Sequence, residues 1–319
     1  NWSLSGSGLA YTYRLYGSKS FNRYEYKGGV VFASLQKVFS MSKTPNDLFR
    51  ILSKRCDLIV FDEAHKALAP TYKATINQIM LDSENCKLIG LSATPGRTSN
   101  EKFDVENKKL TRIFDNNLIA IDFNKQNPIK ALKESGVLSE LDRKIIRNQN
   151  EYKLSQSEIS FITKNNSFPQ SFLKVLAIDK NRNAMIINKV IHEQQNGRQC
   201  LIFSCSSLHA KVLSSTLNLN GVKSTPITSD MNKLTRFRAI ESFKIGNCGV
   251  LVNFGILTTG FDAPNIDAVF ITRPTNSIIL YSQMLGRGLR GPKVGGKNKC
   301  IVYDAVSYTH LTLPTICSV

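Results

Sequence analysis

Leu58-Ile59-Val60-Phe61 runs directly into Asp62-Glu63-Ala64-His65, so an apolar run delivers two adjacent carboxylates to its end. Carboxylates placed in this way suit Mg2+-assisted phosphoryl transfer. One can hold the hydrated ion while the other orients or deprotonates an attacking water. Thirty residues beyond Asp62, a second apolar run ends in Ser92-Ala93-Thr94-Pro95-Gly96-Arg97, whose two hydroxyls can hydrogen-bond across to a neighbouring strand's loop. In the distal half, Gln283-Met284-Leu285-Gly286-Arg287-Gly288-Leu289-Arg290-Gly291 sets two arginines three apart. On a helical turn they share one face, where planar guanidinium forks can engage phosphate oxygens. Ahead of them, Leu257-Thr258-Thr259-Gly260-Phe261-Asp262-Ala263-Pro264 is a Gly- and hydroxyl-rich loop with donors for phosphate or ribose. Singly, each signal is weak. An Asp-Glu pair is ordinarily a solvated turn, an Arg pair an ion-pairing surface helix, and a lone His a core or surface residue.

Such groups need a scaffold that presents loops at strand ends. Val30–Ala33, Leu58–Phe61, Leu88–Leu91, Leu201–Phe203, Val250–Val252, Ala268–Ile271 and Ile301–Tyr303 are short apolar runs that end in polar residues. Unbroken runs of this length suit strands buried on both faces of a parallel sheet. Helical patterns such as Asn183–Gln195 and His209–Leu217 lie between them. The alternation predicts an α/β fold with mainly parallel sheets flanked by helices, its active groups on loops at the carboxyl ends of strands. Residues 101–180 are charged, Asn-rich and without strong strand runs, which predicts a mainly helical connector between two α/β lobes.

The 319 residues carry 42 Lys and Arg against 24 Asp and Glu, a net charge of +18. An excess of this size favours a polyanion, most often nucleic acid, although a basic surface can also serve solubility alone. With 42% hydrophobic residues the composition is globular, and the length suits two domains. No apolar run approaches a membrane span, so no membrane partner is expected. Seven cysteines with no CxxC read as reduced thiols of a cytoplasmic protein rather than as a disulfide framework or zinc site. The last residues, 306–319, resemble a translated sequencing adapter and are expected to be a non-native tail.

Together these segments resemble superfamily II helicases. Phe61–His65, Leu91–Arg97, Leu201–Ala210, Thr258–Asp267 and Gln283–Gly291 occur in the order and spacing of that family's motifs II to VI. Gly29–Gln36 resembles its nucleic-acid-contacting TxxQ segment, with Ser34 where Thr is usual. The phrase Leu257–Pro264, then Arg273-Pro274-Thr275 and Gln283–Arg290, is most similar to the DEAH-type, type III restriction-subunit group. The resemblance implies two RecA-like lobes, a partial first lobe over 1–100 and a second over 181–305, joined by 101–180. It implies ATP and Mg2+ as cofactors, Asp62 as the Mg2+ ligand and Glu63 as the catalytic base. Arg287 and Arg290 would reach across the interlobe cleft to the γ-phosphate. His65, Ser92, Thr94 and Gln283 would couple nucleotide state to strand movement. Gly260 and Asp262 would lie by the nucleotide, and Ser34, Gln36, Ser204 and Thr258 by the nucleic-acid backbone. The implied track is DNA ahead of RNA, with nuclease or methyltransferase subunits as potential partners.

One departure stands out. The sequence contains no G-x-x-x-x-G-K-[ST] phosphate loop, and Ser5-Gly6-Ser7-Gly8 has no Lys after it. The family places that loop ahead of the TxxQ segment, so the expectation is an open reading frame clipped at its amino end and deficient in ATP hydrolysis. Two other readings compete: a non-catalytic nucleic-acid-binding scaffold or translocase subunit of a restriction nuclease complex, and a metallohydrolase built on Asp62, Glu63 and His65. The last lacks any second metal-spaced histidine.

Overall fold

The computed structural model describes residues 11–92, 108–119, 128–147, 150, 152–165, 167–256 and 265–305. The chain divides into two compact units, Asn1–Ala120 and Ile121–Val319. Among the described residues no helix is long and apolar enough to cross a membrane, and the six described cysteines are free thiols.

In the first unit, strands β1 (Thr12–Leu15) and β2 (Val30–Ala33) pair in parallel, as do β3 (Leu58–Asp62) and β4 (Lys87–Leu91). Helices α1 (Leu35–Ser42), α2 (Asp47–Lys54) and α3 (Pro70–Asp82) connect them, and residues 108–113 are helical (α4). Asn46 starts α2 by accepting from the Phe49 amide, and Pro70 starts α3 from a position where no amide donor is needed. One face of β3–β4 is covered: Ile59, Phe61 and Leu88 pack with Ala64, Ile76, Leu110 and Phe114. Leu58, Val60, Ile89 and Leu91, which alternate with them, are about half exposed. Gly90 leaves room for the Phe114 ring that follows α4, since a Cβ there would stand 2.6 Å from that ring and 2.8 Å from the Ala64 Cβ.

The second unit is built on a six-stranded, all-parallel sheet in the order β5-β10-β9-β6-β8-β7. Its strands are β5 (Glu140–Ile145), β6 (Cys200–Phe203), β7 (Ser224–Ile227), β8 (Val250–Asn253), β9 (Ala268–Ile271) and β10 (Lys299–Asp304). Alternate residues divide cleanly between two cores. Leu201, Phe203, Leu251, Val269, Ile271 and Val302 pack on Phe243 of α10 (Lys233–Lys244) and on Tyr281 and Met284 of α11 (Ile278–Gly286). Cys200, Ile202, Val250, Val252, Ala268, Phe270 and Tyr303 pack on Ile186 and Val190 of α8 (Lys180–Gln195) and on Leu213 and Leu217 of α9 (Ser207–Leu219). Coverage of both faces is what a parallel sheet requires, and it accounts for the unbroken apolar runs.

Residues 101–180, expected to be mainly helical, supply α5 (Pro128–Glu134), α6 (Gln156–Asn165) and α7 (Gln170–Ile178). They also supply β5, whose register runs from Glu140 opposite Lys299 to Ile145 opposite Asp304. An edge strand has one unpaired side and tolerates charge, so Glu140-Leu141-Asp142-Arg143-Lys144 shows no apolar run. Arg143 is tied to the buried Asp304 at 2.7 Å.

A polar network closes the carboxyl ends of β6, β9 and β10. The buried Arg182 guanidinium donates to the carbonyls of Thr272, Ala305 and Leu176. His209, also buried, accepts the Cys205 amide at Nδ1 (3.2 Å), so Nε2 carries the proton shared with Asn183 Oδ1 at 3.0 Å. Burial, with Arg182 nearby, pushes the His209 pKa down to about 3. The folded state therefore holds His209 neutral, whereas the unfolded chain takes up a proton below about pH 6.5. Its contribution is complete above that pH and is lost at up to ~1.4 kcal/mol per pH unit as pH falls toward 3. Denaturant titrations should show wild type and His209→Gln furthest apart above pH 6.5 and converging in acid; a pH-independent gap would remove His209 from the linkage. Packing gives a second test. A Cβ at Gly288 would meet Cys300 Sγ at 2.3 Å and Val269 Cγ2 at 2.9 Å, while one at Gly286 meets nothing within 4 Å. Gly288→Ala should cost about 1–3 kcal/mol by overpacking, and Gly286→Ala should be neutral or stabilising on thermal unfolding.

Candidate functional site

β3 and β4 end in register, with Asp62 opposite Leu91, so the residues that follow each strand emerge side by side. Successive strand residues point to opposite faces, yet here the chain turns at once. Glu63 adopts φ 55°, ψ 52°, a left-handed conformation that non-glycine residues rarely take. It is held there by Asp62 Oδ1, which accepts the Glu63 amide at 2.9 Å, and by a 3-10 turn over Ala64–Lys66. Strain of about 1–3 kcal/mol at such a position persists only where its surroundings impose it. Here the buried Ala64 and Ala67 anchor the turn in the core.

The turn gathers three of the expected residues. Buried His65 lies with Nδ1 3.4 Å from Glu63 Oε2 and 3.5 Å from Ser92 Oγ, at the end of β4. The carboxylate and the hydroxyl that follows the neighbouring strand thus approach the same ring nitrogen of His65. Asp62 is exposed at the strand end. Among the described residues no cluster of three or more His, Cys, Asp or Glu is placed to share a metal. A single exposed carboxylate still fits Mg2+, which is commonly held by one or two carboxylates together with substrate phosphates. Thr94, expected beside Ser92, lies outside the described residues, as do Thr258, Gly260 and Asp262.

At the carboxyl end of β2, Ser34 starts α1 and its amide bonds the Leu15 carbonyl at 3.0 Å. Gln36 is exposed, with Nε2 3.0 Å from the hydroxyl of Tyr72 on α3. The Tyr72 ring lies 6.1 Å from that of Phe61, the residue before Asp62. Tyr72, which no sequence motif marks, therefore links Gln36 to the strand that carries the carboxylates.

In the second unit, Gln283 is half-buried on α11, but the two arginines do not share a helical face. The helix ends at Gly286, Arg287 is its cap, and Arg290 forms an antiparallel bridge with Leu138. The physical reason is the path of Gly288 against Cys300 and Val269, which takes the chain out of the helix. The segment ahead of β5 then fixes it. Ser139 donates through its amide to the Leu289 carbonyl (3.0 Å) and through its hydroxyl to the Gly288 carbonyl (2.8 Å), and the Gly291 amide donates to Val137 (2.9 Å). A Cβ at Gly291 would stand 2.3 Å from the Gly136 carbonyl oxygen. Gly288 and Gly291 thus admit the close approach of neighbouring protein. Ser204 also departs from expectation: its side chain is buried, with Oγ 3.0 Å from the Asn253 carbonyl and 3.1 Å from that of Ser206. It closes the end of β6 against β8 and does not face solvent.

Residues 10–97 match the family described as type III restriction enzyme, res subunit, and residues 181–291 match the helicase conserved C-terminal domain. Two relatives have names containing the words ATP-dependent helicase. IRC3 of Saccharomyces cerevisiae is 28% identical over 256 residues, covering 78% of this chain and 34% of that protein. The irc3 protein of Schizosaccharomyces pombe is 26% identical over 279 residues, covering 86% of this chain and 42% of its own length. The chain thus spans less than half of either. The fold is shared with Saccharomyces cerevisiae Dbp5 in a structure bound to RNA and ADP BeF3, at TM-score 0.58 and 14% identity over 95% of this chain and 65% of that one. It is also shared with Mycobacterium smegmatis helicase Lhr in a structure bound to ssDNA and AMP-PNP, at TM-score 0.59 and 15% identity over 94% and 35%. With the restriction-subunit match spanning the carboxylate turn and the helicase C-terminal match ending on the arginine segment, these likenesses support a superfamily II helicase core of the type III restriction-subunit type.

Proposed function

We propose that the protein this chain represents is an ATP-dependent nucleic-acid translocase or helicase, in which Asp62 and Glu63 of the first unit and Arg287 and Arg290 of the second act on one ATP. The observation that carries this reading is the strand-end turn that sets Asp62, Glu63, His65 and Ser92 together. Asp62 would hold Mg2+, which neutralises phosphate charge when bound. Glu63 would orient and deprotonate the attacking water. His65 would pass the position of Ser92 to Glu63. The arginines would stabilise charge on the transferring phosphoryl group, a role for planar forks held in place. Val137–Ser139 holds the backbone of Gly288, Leu289 and Gly291 beside them.

DNA is favoured over RNA as the track, because the first unit matches a restriction-enzyme subunit. The same match supports assembly with nuclease or methyltransferase subunits. Ser34, Gln36 and Thr258 would contact the phosphate backbone, Thr94 and Gln283 would join the coupling path, and Gly260 and Asp262 would approach the nucleotide. Ser204 would act by positioning its loop. For the 319 residues themselves, a nucleic-acid-binding role without hydrolysis is favoured, because they contain no phosphate-loop lysine.

The 319-residue chain should therefore bind single-stranded nucleic acid with affinity that falls as salt rises, yet hydrolyse no ATP above background. Nucleic-acid-stimulated hydrolysis by this chain would contradict the assignment of the phosphate loop as indispensable. In a chain extended to carry that loop, Arg290→Lys should reduce kcat on the order of 10³-fold, with nucleic-acid affinity and thermal midpoint unchanged. Lys293→Ala, a change at an exposed position outside the motif, is the control. An Arg290→Lys enzyme with wild-type kcat would place Arg290 away from the phosphate.

A further inference from the structure

The segment Tyr11–Lys27, on the first unit, belongs to none of the motifs above. Tyr13 is its seat: its ring lies 4.7 Å from Phe21 and 5.2 Å from Tyr26, and its hydroxyl donates to the Glu25 carbonyl (3.0 Å) while accepting the Lys27 amide (2.9 Å). Around this seat the other rings turn outward. Tyr24 is 79% exposed, Tyr11 54% and Tyr16 41%. Cations attend two of them, with the Arg23 guanidinium 4.6 Å from the centre of the Tyr24 ring and Lys27 Nζ 5.8 Å from that of Tyr11.

The charge is one-sided. Between residues 11 and 56 there are nine Lys and Arg and two acidic residues, Glu25 and Asp47. Both acids are engaged locally, Asp47 by Arg23 at 2.6 Å and Glu25 by Asn22 at 2.7 Å. A single exposed tyrosine needs no explanation. Three on one short segment, held by an aromatic seat and interleaved with cations, match a particular chemistry. Exposed rings offer stacking faces to unpaired bases, and the neighbouring cations meet the phosphates that run beside those bases. Duplex keeps its bases stacked inside, and an acidic polypeptide has charge but no row of flat π-faces.

We propose that Tyr11–Lys27 is a stacking surface for the unpaired bases of single-stranded nucleic acid, with Tyr11 and Tyr24 as platforms and Lys27 as a phosphate contact. The proposal rests on the nucleic-acid-binding reading above and adds base stacking to its backbone contacts. It requires sequence-independent binding, since every base has a π-face.

Anisotropy titrations of the 319-residue chain with labelled oligothymidylate and with an abasic strand of equal length test this. The wild type should bind oligothymidylate about tenfold more tightly, the order expected of one stacked base. Tyr11→Leu/Tyr24→Leu should abolish that preference and leave abasic affinity unchanged, while Tyr24→Phe should keep it, because the ring and not the hydroxyl is used. Tyr24→Leu alone, at the most exposed of the three positions, should lower the preference without shifting the thermal midpoint. Equal wild-type affinity for the two strands would overturn stacking and leave nucleic-acid binding standing. A Tyr11→Leu/Tyr24→Leu protein that kept the full preference would place the stacking elsewhere, and displacement of the strand by polyglutamate of equal charge and at equal concentration would assign the surface to a protein partner. Binding to neither strand at low salt would overturn the nucleic-acid reading itself.

Discussion

Parallel strands must be covered on both faces, and much of the molecule follows from that constraint. In the second unit, helices α8 and α9 seal one face and α10 and α11 the other, so β6, β8 and β9 are wholly buried and read as unbroken apolar runs. Polar groups cannot sit within such strands and collect at their carboxyl ends. There Arg182, His209, Cys205 and Thr272 satisfy one another and the terminal carbonyls. In the first unit the same rule puts Asp62, Glu63 and Ser92 at adjacent strand ends. It is met on one face only, since Leu58, Val60, Ile89 and Leu91 remain half exposed.

That constraint also explains which elements were legible in the sequence. Every apolar run proved to be a strand or part of one, because those strands either lie inside the large sheet or form the pairs of the first unit. The edges were not legible. β5 is charged and β7 reads Ser224-Thr225-Pro226-Ile227, with a proline that an edge strand accommodates because its amide needs no partner. β1, at Thr12–Leu15, has Arg14 before its last residue and shows no apolar run. In each case polar or charged residues interrupt the strand, so no continuous apolar run marks it.

The candidate site was legible as residue types and less so as geometry. Residue types and their resemblance to the helicase motifs brought out Asp62, Glu63, His65 and Ser92, and the register of β3 with β4 places them at adjacent strand ends. Spacing could not reveal that Glu63 turns left-handed, nor that Ser204 faces inward. The helical reading of Arg287 and Arg290 failed because periodicity carries no information about Cys300, Val269 and Leu138, the neighbours that draw the chain out of the helix. Arg182 and His209 gave no signal for a similar reason. A buried cation and a neutral histidine become intelligible only once the carbonyls and amide around them are placed.

We propose that the strained turn at Glu63 presents a general base to a water beside bound ATP. Single-turnover hydrolysis by Glu63→Gln, in a chain extended to carry the phosphate loop, tests it most directly. Glutamine keeps the size and the hydrogen-bonding reach toward His65 but cannot take a proton at neutral pH. The chemical step should slow by about 10²–10⁴-fold with ATP and nucleic-acid affinity unchanged. A Glu63→Gln protein that hydrolyses ATP at the wild-type rate would contradict it.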